Sequence, residues 1–198
     1  MKIKSLVIGL SVWFSLAHAS ALDQLNYFIT HVPKASGMFV QKNDQGESEG
    51  SFSFFRPGRF SWLIKTPFEQ RITADGKYIY QYDVELAQTI KRSLKEAIGS
   101  SPAAILFGNN KIEDYFTVSL LPTENGVQWL RAVPKDANAG FNYMDIGFAD
   151  NRPVKIIVQD IFDHFTEITF NQMDTQAKIS ASSFKFVVPK GVEVVDMP

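Results

Sequence analysis

Cysteine is absent from the 198 residues. That excludes disulfides, thiolate nucleophiles, iron–sulfur clusters and Cys-ligated zinc. Excess charge is absent too. Lys and Arg number 20 against 21 Asp and Glu, a formal net of −1, and no basic cluster offers the positive footprint that nucleic acid requires. Histidine is confined to His18, His31 and His164, in unlike contexts without ligand spacing, so no metal site is expected. The Gly-x-Ser-x-Gly elbow, the phosphate loop and the dinucleotide fingerprint are missing as well. No cofactor is expected. What the chain does have is apolar mass: 45% of its residues are hydrophobic and 17 are Phe, enough at this length for one sizeable core.

The N-terminus bears on compartment. Lys2 and Lys4 precede an apolar stretch from Ser5 to Leu16, shorter than the roughly 20 residues that span a bilayer. Ala17-His18-Ala19 has the small-x-small form of a signal peptidase site. The expectation is a signal peptide over 1–19 and a single exported domain over 20–198. A cysteine-free exported chain suits a bacterial periplasm, and with no Cys after the cleavage site it is not itself lipidated.

Along the exported part, Leu22, Leu25, Phe28, Ile29 and Val32 fall at helical spacing and Pro33 ends the run. The period then changes to two. Met38 and Val40, Phe52 and Phe54, and Phe60, Trp62 and Ile64 each share one face of a strand. Arg56-Pro57-Gly58 reads as a turn and Asp75-Gly76 as a tight hairpin, followed by Tyr78, Tyr80 and Tyr82 on one face and a return over Gln88 to Arg92. Ser101-Pro102 starts a short apolar helix containing Ile105 and Leu106. Six further strands are expected: Tyr115 to Leu121, Val127 to Val133, Phe141 to Phe148, Val154 to Asp160, His164 to Phe170 and Phe184 to Val188. Asn125-Gly126, Asp150-Asn151 and Asn171 to Asp174 read as connections. The sum is one mainly β domain, an antiparallel sheet or barrel with short helices. Many strands carry apolar residues on both faces, more than an open sheet with one wet face uses. Curling around an interior absorbs the surplus. Periodicity alone leaves open whether that interior is a filled core or a cavity.

The segments GSFSFFRPGRFSWLIKTPFEQ (50–70), DGKYIYQYDVELAQTIKR (75–92) and SSPAAILFG (100–108) resemble the periplasmic outer-membrane lipoprotein carrier family, LolA. SGMFVQ before them and the closing FKFVVPKGVEVVD are similar to it as well, so the resemblance covers nearly all of the exported chain. It implies a half-open, strongly curved antiparallel β-barrel covered by a helical lid. It also implies a monomeric, non-enzymatic carrier that takes lipoproteins from an inner-membrane LolCDE-type releasing complex to an outer-membrane LolB-type receptor. On this likeness Arg56 is the lid latch. Phe39, Phe52, Phe54, Trp62, Ile105 and Leu106 line the acyl-chain cavity, and Phe60 contacts the releasing complex. Gly58-Arg59, between the proline and Phe60, is where other members differ.

Two alternatives remain at this stage. A lipid-sensing regulator could use the same fold. A small exported hydrolase could use Asp160, Asp163 and Glu167, since paired carboxylates perform glycosidase chemistry.

Overall fold

The computed structural model describes residues 19–95 and 111–197. The expected signal peptide and the Ser101-Pro102 helix, with Ile105 and Leu106, lie outside them. The first helix, α1 (Ala21–His31), is built as its sequence dictates. Ser20 Oγ accepts from the Asp23 N–H at 3.2 Å while the Asp23 carboxylate accepts from the Ser20 N–H at 3.1 Å, a reciprocal capping box. Ala21, Gln24, Leu25 and Phe28 form its buried face.

Six strands follow: β1 (Lys34–Asn43), β2 (Gly46–Phe55), β3 (Arg59–Thr66), β4 (Gln70–Asp75), β5 (Tyr78–Asp83) and β6 (Gln88–Ser93). After a four-residue helix α2 (Ile112–Tyr115) come β7 (Phe116–Glu124), β8 (Val127–Pro134), β9 (Phe141–Ala149), β10 (Arg152–Asp160) and β11 (Phe165–Asp174). A 3-10 turn (Ala181–Phe184) and β12 (Glu193–Asp196) close the chain. All twelve strands form one sheet in the order β12-β6-β5-β4-β3-β2-β1-β11-β10-β9-β8-β7. The sheet curls without closing, because β7 and β12 sit at opposite edges.

Hairpin chemistry sets the register. Asn125 and Gly126, and Asp150 and Asn151, hold positive φ as paired turn residues. Two expected elements are otherwise placed. Asn171–Asp174 is the end of β11 rather than a connection. Its register against β1 shifts between Ser36 and Met38, and Gln172, at φ 52°, is the extra residue of a bulge. The run Phe184–Val188 is not a strand. Phe184 is fully buried at the end of the 3-10 turn, which packs on β3 and β4, and Phe186 stacks on Tyr80 at 4.8 Å. Those side chains alternate to cover the sheet's outer face, not to pair with a neighbour. The pairing strand comes later, as β12, and runs parallel to β6, whereas an antiparallel sheet was expected throughout.

The core lies on the inner face. Leu25 and Phe28 of α1 pack with Leu130, Met144, Ile146, Phe148 and Ile156 of β8, β9 and β10. Leu130, Met144, Ile146 and Phe148 are fully buried. On the outer face of the same strands, Arg131 grips Asp145 through two 2.7 Å hydrogen bonds and lies 3.6 Å from the Tyr143 ring centroid.

Candidate binding face and its buried arginine

Register fixes which residues share the inner face of the first half-sheet. Ala35, Phe54, Phe60, Ala74 and Ile79 run side by side across β1 to β5. A second row is Gly37, Phe52, Trp62, Ile72, Gln81 and Ile90, and a third is Phe39, Gly50, Ile64, Gln70, Asp83 and Gln88. Burial grades along these rows. Phe39, Phe52, Phe54 and Phe60 are buried on β1 to β3, while Trp62, Ile64, Ile72, Ile79 and Ile90 are only half-buried. One half of the inner face is therefore filled by α1, and the other keeps a partly exposed apolar surface.

The aromatic residues form a connected set. Phe39 stacks on Trp62 at 3.8 Å, Phe52 lies 6.2 Å from Trp62, and Phe170 of β11 meets Phe52 edge-on at 5.3 Å and Trp62 at 6.2 Å. Four of the cavity residues named from the sequence thus meet on one face: Phe39, Phe52 and Trp62 in this set, and Phe54 beside it against Phe28 at 5.8 Å. Ile105 and Leu106 lie outside the described residues. Phe60 is 2% exposed and faces inward, in register with Phe54 and Ala74.

Sequence reasoning singled out the large aromatics and passed over Ile72, Ile79 and Ile90. Their signal was present, as alternation continuing through β4 to β6, but a lone Ile beside Thr, Tyr or Lys looks like any half-buried strand position.

Arg56 sits in the turn after β2 and is 8% exposed. Its Nε donates to the Val32 carbonyl, the C-cap of α1, at 3.0 Å, and its own backbone N–H donates to Pro33 at 2.8 Å. The guanidinium carbon lies 4.8 Å from the Phe54 ring centroid and 5.3 Å from that of Phe28. The carbonyl end of a helix and two ring faces both favour a cation. Burial nevertheless pushes the Arg56 pKa down to about 10. The group stays charged at neutral pH, and its desolvation costs the folded state on the order of 3 kcal/mol.

The acidic residues considered for hydrolysis do not converge. Asp160 accepts from the backbone N–H groups of Phe162 and His164 and caps the β10–β11 loop. Asp163 accepts from Gln159 at 3.1 Å, and Glu167 pairs with Lys155 at 2.8 Å within the sheet. Each carboxylate has a structural duty.

Comparison with known proteins agrees with this geometry. The family model described as outer membrane lipoprotein carrier protein LolA matches residues 30–187. The outer-membrane lipoprotein carrier protein of Bordetella pertussis is 44% identical over 185 residues, covering 90% of this chain and 88% of that one. That of Neisseria gonorrhoeae is 38% identical, covering 96% and 93%. Among solved structures, a LolA superfamily protein from Nitrosomonas europaea superposes with a TM-score of 0.51 at 11% identity, covering 83% of this chain and 96% of that one. With the match running from the end of α1 through β1 to β11 and into the outer-face tail, the chain belongs to the LolA family of outer-membrane lipoprotein carriers.

Proposed function

We propose that this protein binds the acyl chains of lipoproteins against the inner face of β3 to β6 and carries them across the periplasm. The observation that carries the reading is the half-exposed apolar surface of Trp62, Ile64, Ile72, Ile79 and Ile90, facing the same interior as a filled core. A lipoprotein's acyl chains lose about 0.8 kcal/mol for each methylene left in water. A surface of branched aliphatic and aromatic groups covers them without directional bonds, so release meets no catch to break. No bond is made or broken, and the protein acts as a carrier rather than an enzyme.

Arg56 supplies the control in this reading. It ties the exit of α1 to the β2–β3 turn while its buried charge is costly. Charged hydrogen bonds of this kind contribute about 1.5–3 kcal/mol each, a scale that incoming chains match by burying a few methylenes. Phe39, Phe52, Phe54, Trp62, Ile105 and Leu106 line the cavity. Phe60, inward at the same end, is the residue a LolCDE-type releasing complex engages as the hollow opens, and a LolB-type receptor takes the cargo afterwards. The carrier works as a monomeric single domain over 20–198 once residues 1–19 are removed.

The test is to add purified protein to inner-membrane spheroplasts making a radiolabelled lipoprotein. A soluble complex of label and carrier is expected. Label that stays in the membrane at every carrier concentration contradicts the reading.

A further inference from the structure

Adjacent strands change character along the inner face. On β4 the inward residues run Ala74, Ile72, Gln70; on β5 they run Ile79, Gln81, Asp83; on β6 they run Arg92, Ile90, Gln88. On β4 and β5 the apolar ends lie toward Arg56 and the amides lie away from it, while on β6 the end toward Arg56 is the exposed Arg92, which donates to Met197 Sδ at 3.2 Å. Gln70, Asp83 and Gln88 are direct register partners across the three strands, and Gln81 stands one inward position before Asp83, between Ile72 and Ile90. Gln70, Asp83 and Gln88 are half-buried and Gln81 is exposed. Among the described residues no hydrogen bond engages the three amide side chains, while one oxygen of Asp83 accepts from the Leu86 N–H at 3.0 Å.

We infer that this row is a head-group subsite, holding the neutral ester and amide groups where the acyl chains join the cargo's first residues, with the chains running from it toward Arg56. The inference rests on the carrier reading and gives it a direction. A carboxamide offers two N–H donors and a carbonyl acceptor. The donors suit ester carbonyls, and the acceptor suits the N–H groups of an acylated N-terminus. A neutral amide also costs less to desolvate than a Lys or Glu in the same place. The free oxygen of Asp83 adds an acceptor for a peptide N–H. At the opposite end a polar head would meet Phe54, Phe60, Ala74 and Ile79, which satisfy none of its groups, and the one polar side chain in that row, Arg92 on β6, donates to Met197 Sδ at the sheet's edge.

The experiment measures two ligands on the purified carrier: a synthetic tripalmitoylated cysteinyl peptide, and a pyrene-labelled alkane of similar chain length with no head group. In Gln70→Leu/Gln81→Leu/Gln88→Leu, affinity for the lipopeptide is expected to fall about tenfold, with affinity for the alkane held or raised. Unchanged lipopeptide affinity, or equal loss of both ligands, overturns the subsite. Because the triple variant alters the whole row, Gln81→p-benzoylphenylalanine gives an independent measurement. Photolysis is expected to attach it to the glyceryl or peptide part, whereas Ile79→p-benzoylphenylalanine attaches to chain carbons. The reverse pattern overturns the direction. A wild-type protein that binds the alkane but never the lipopeptide defeats the carrier reading itself.

Discussion

Phe39 reaches Trp62 by leaning across Gly50. The two rings stack at 3.8 Å and 20° from parallel although Phe39 is on β1 and Trp62 on β3. Gly50, the register partner of Phe39 on the intervening β2, makes this possible, because a Cβ there would run into the Phe39 ring and the Leu63 carbonyl oxygen.

Gly50→Ala therefore unseats the stack rather than adding a harmless methyl. Overpacking of this kind costs about 1–3 kcal/mol, and chemical denaturation should report a loss in that range. Lipopeptide affinity should fall with it, because Trp62 turns. Stability and affinity both unchanged would mean that the stack is incidental.

Arg56→Leu should load cargo and fail to deliver it. The leucine keeps the apolar contact with Phe28 and Phe54 and the backbone bond to Pro33 but cannot donate to Val32, so the α1 C-cap loses its charged side-chain tie to the turn. Transfer of a bound lipoprotein to outer membranes is expected to fall tenfold or more, in line with a lost charged hydrogen bond. Wild-type transfer rates in this variant would remove Arg56 from the mechanism.

The two halves of the inner face should separate in mutagenesis. Leu25 is fully buried in the half filled by α1, so Leu25→Ala should cost about 2–5 kcal/mol of stability. Ile72 is half-buried on the other half, and Ile72→Ser should cost far less stability while weakening lipopeptide binding. Denaturation and binding curves on both variants check the contrast. A large stability loss for Ile72→Ser would mean that its surface is ordinary core.

Much of this was legible from the chain. Pro33 and the Asp75-Gly76, Asn125-Gly126 and Asp150-Asn151 turns are local chemistry, and they mark the end of α1 and three hairpins. Positions 52, 54 and 62 stood out by size and alternation, whereas Phe39 came from the family resemblance, since alternation alone grouped Met38 with Val40. What could not be read locally depends on distant pairing. β4 carries only Ile72 and Ala74 as apolar residues, and its partners decide that it is a strand. Phe184 and Phe186 alternate like a strand but are spent on the outer face. The parallel contact of β12 with β6 joins segments about a hundred residues apart. The direction of the inner face on β4 and β5, apolar toward Arg56 and amide-bearing away from it, emerges only when the strands are laid in register.

The β10–β11 hairpin should respond to acid. Partial desolvation raises the Asp160 pKa, but hydrogen bonds from the backbone of His164 and Phe162 and from the His164 ring lower it, and the net shift is downward. A folded pKa below the unfolded one means that the cap is complete above the ordinary carboxylate range and is lost as pH falls through the lowered value. Amide resonances of Phe162 and His164 should titrate together, below the ordinary carboxylate range. They should stop titrating in Asp160→Asn. Titration at or above the ordinary carboxylate value would contradict the cap.

The central claim is that acyl chains lie on the inner face, and Trp62 can report it. The chain has three Trp, at 13, 62 and 129; a protein begun at residue 20 omits Trp13, and Trp129 pairs in register with Gly147 on the outer-face rows. In Trp129→Phe protein of residues 20–198, fluorescence comes from Trp62 alone. Adding a lipopeptide with brominated acyl chains should quench it strongly, while an unbrominated one should not. Stoichiometric binding with Trp62 fluorescence untouched would place the chains elsewhere and contradict the account.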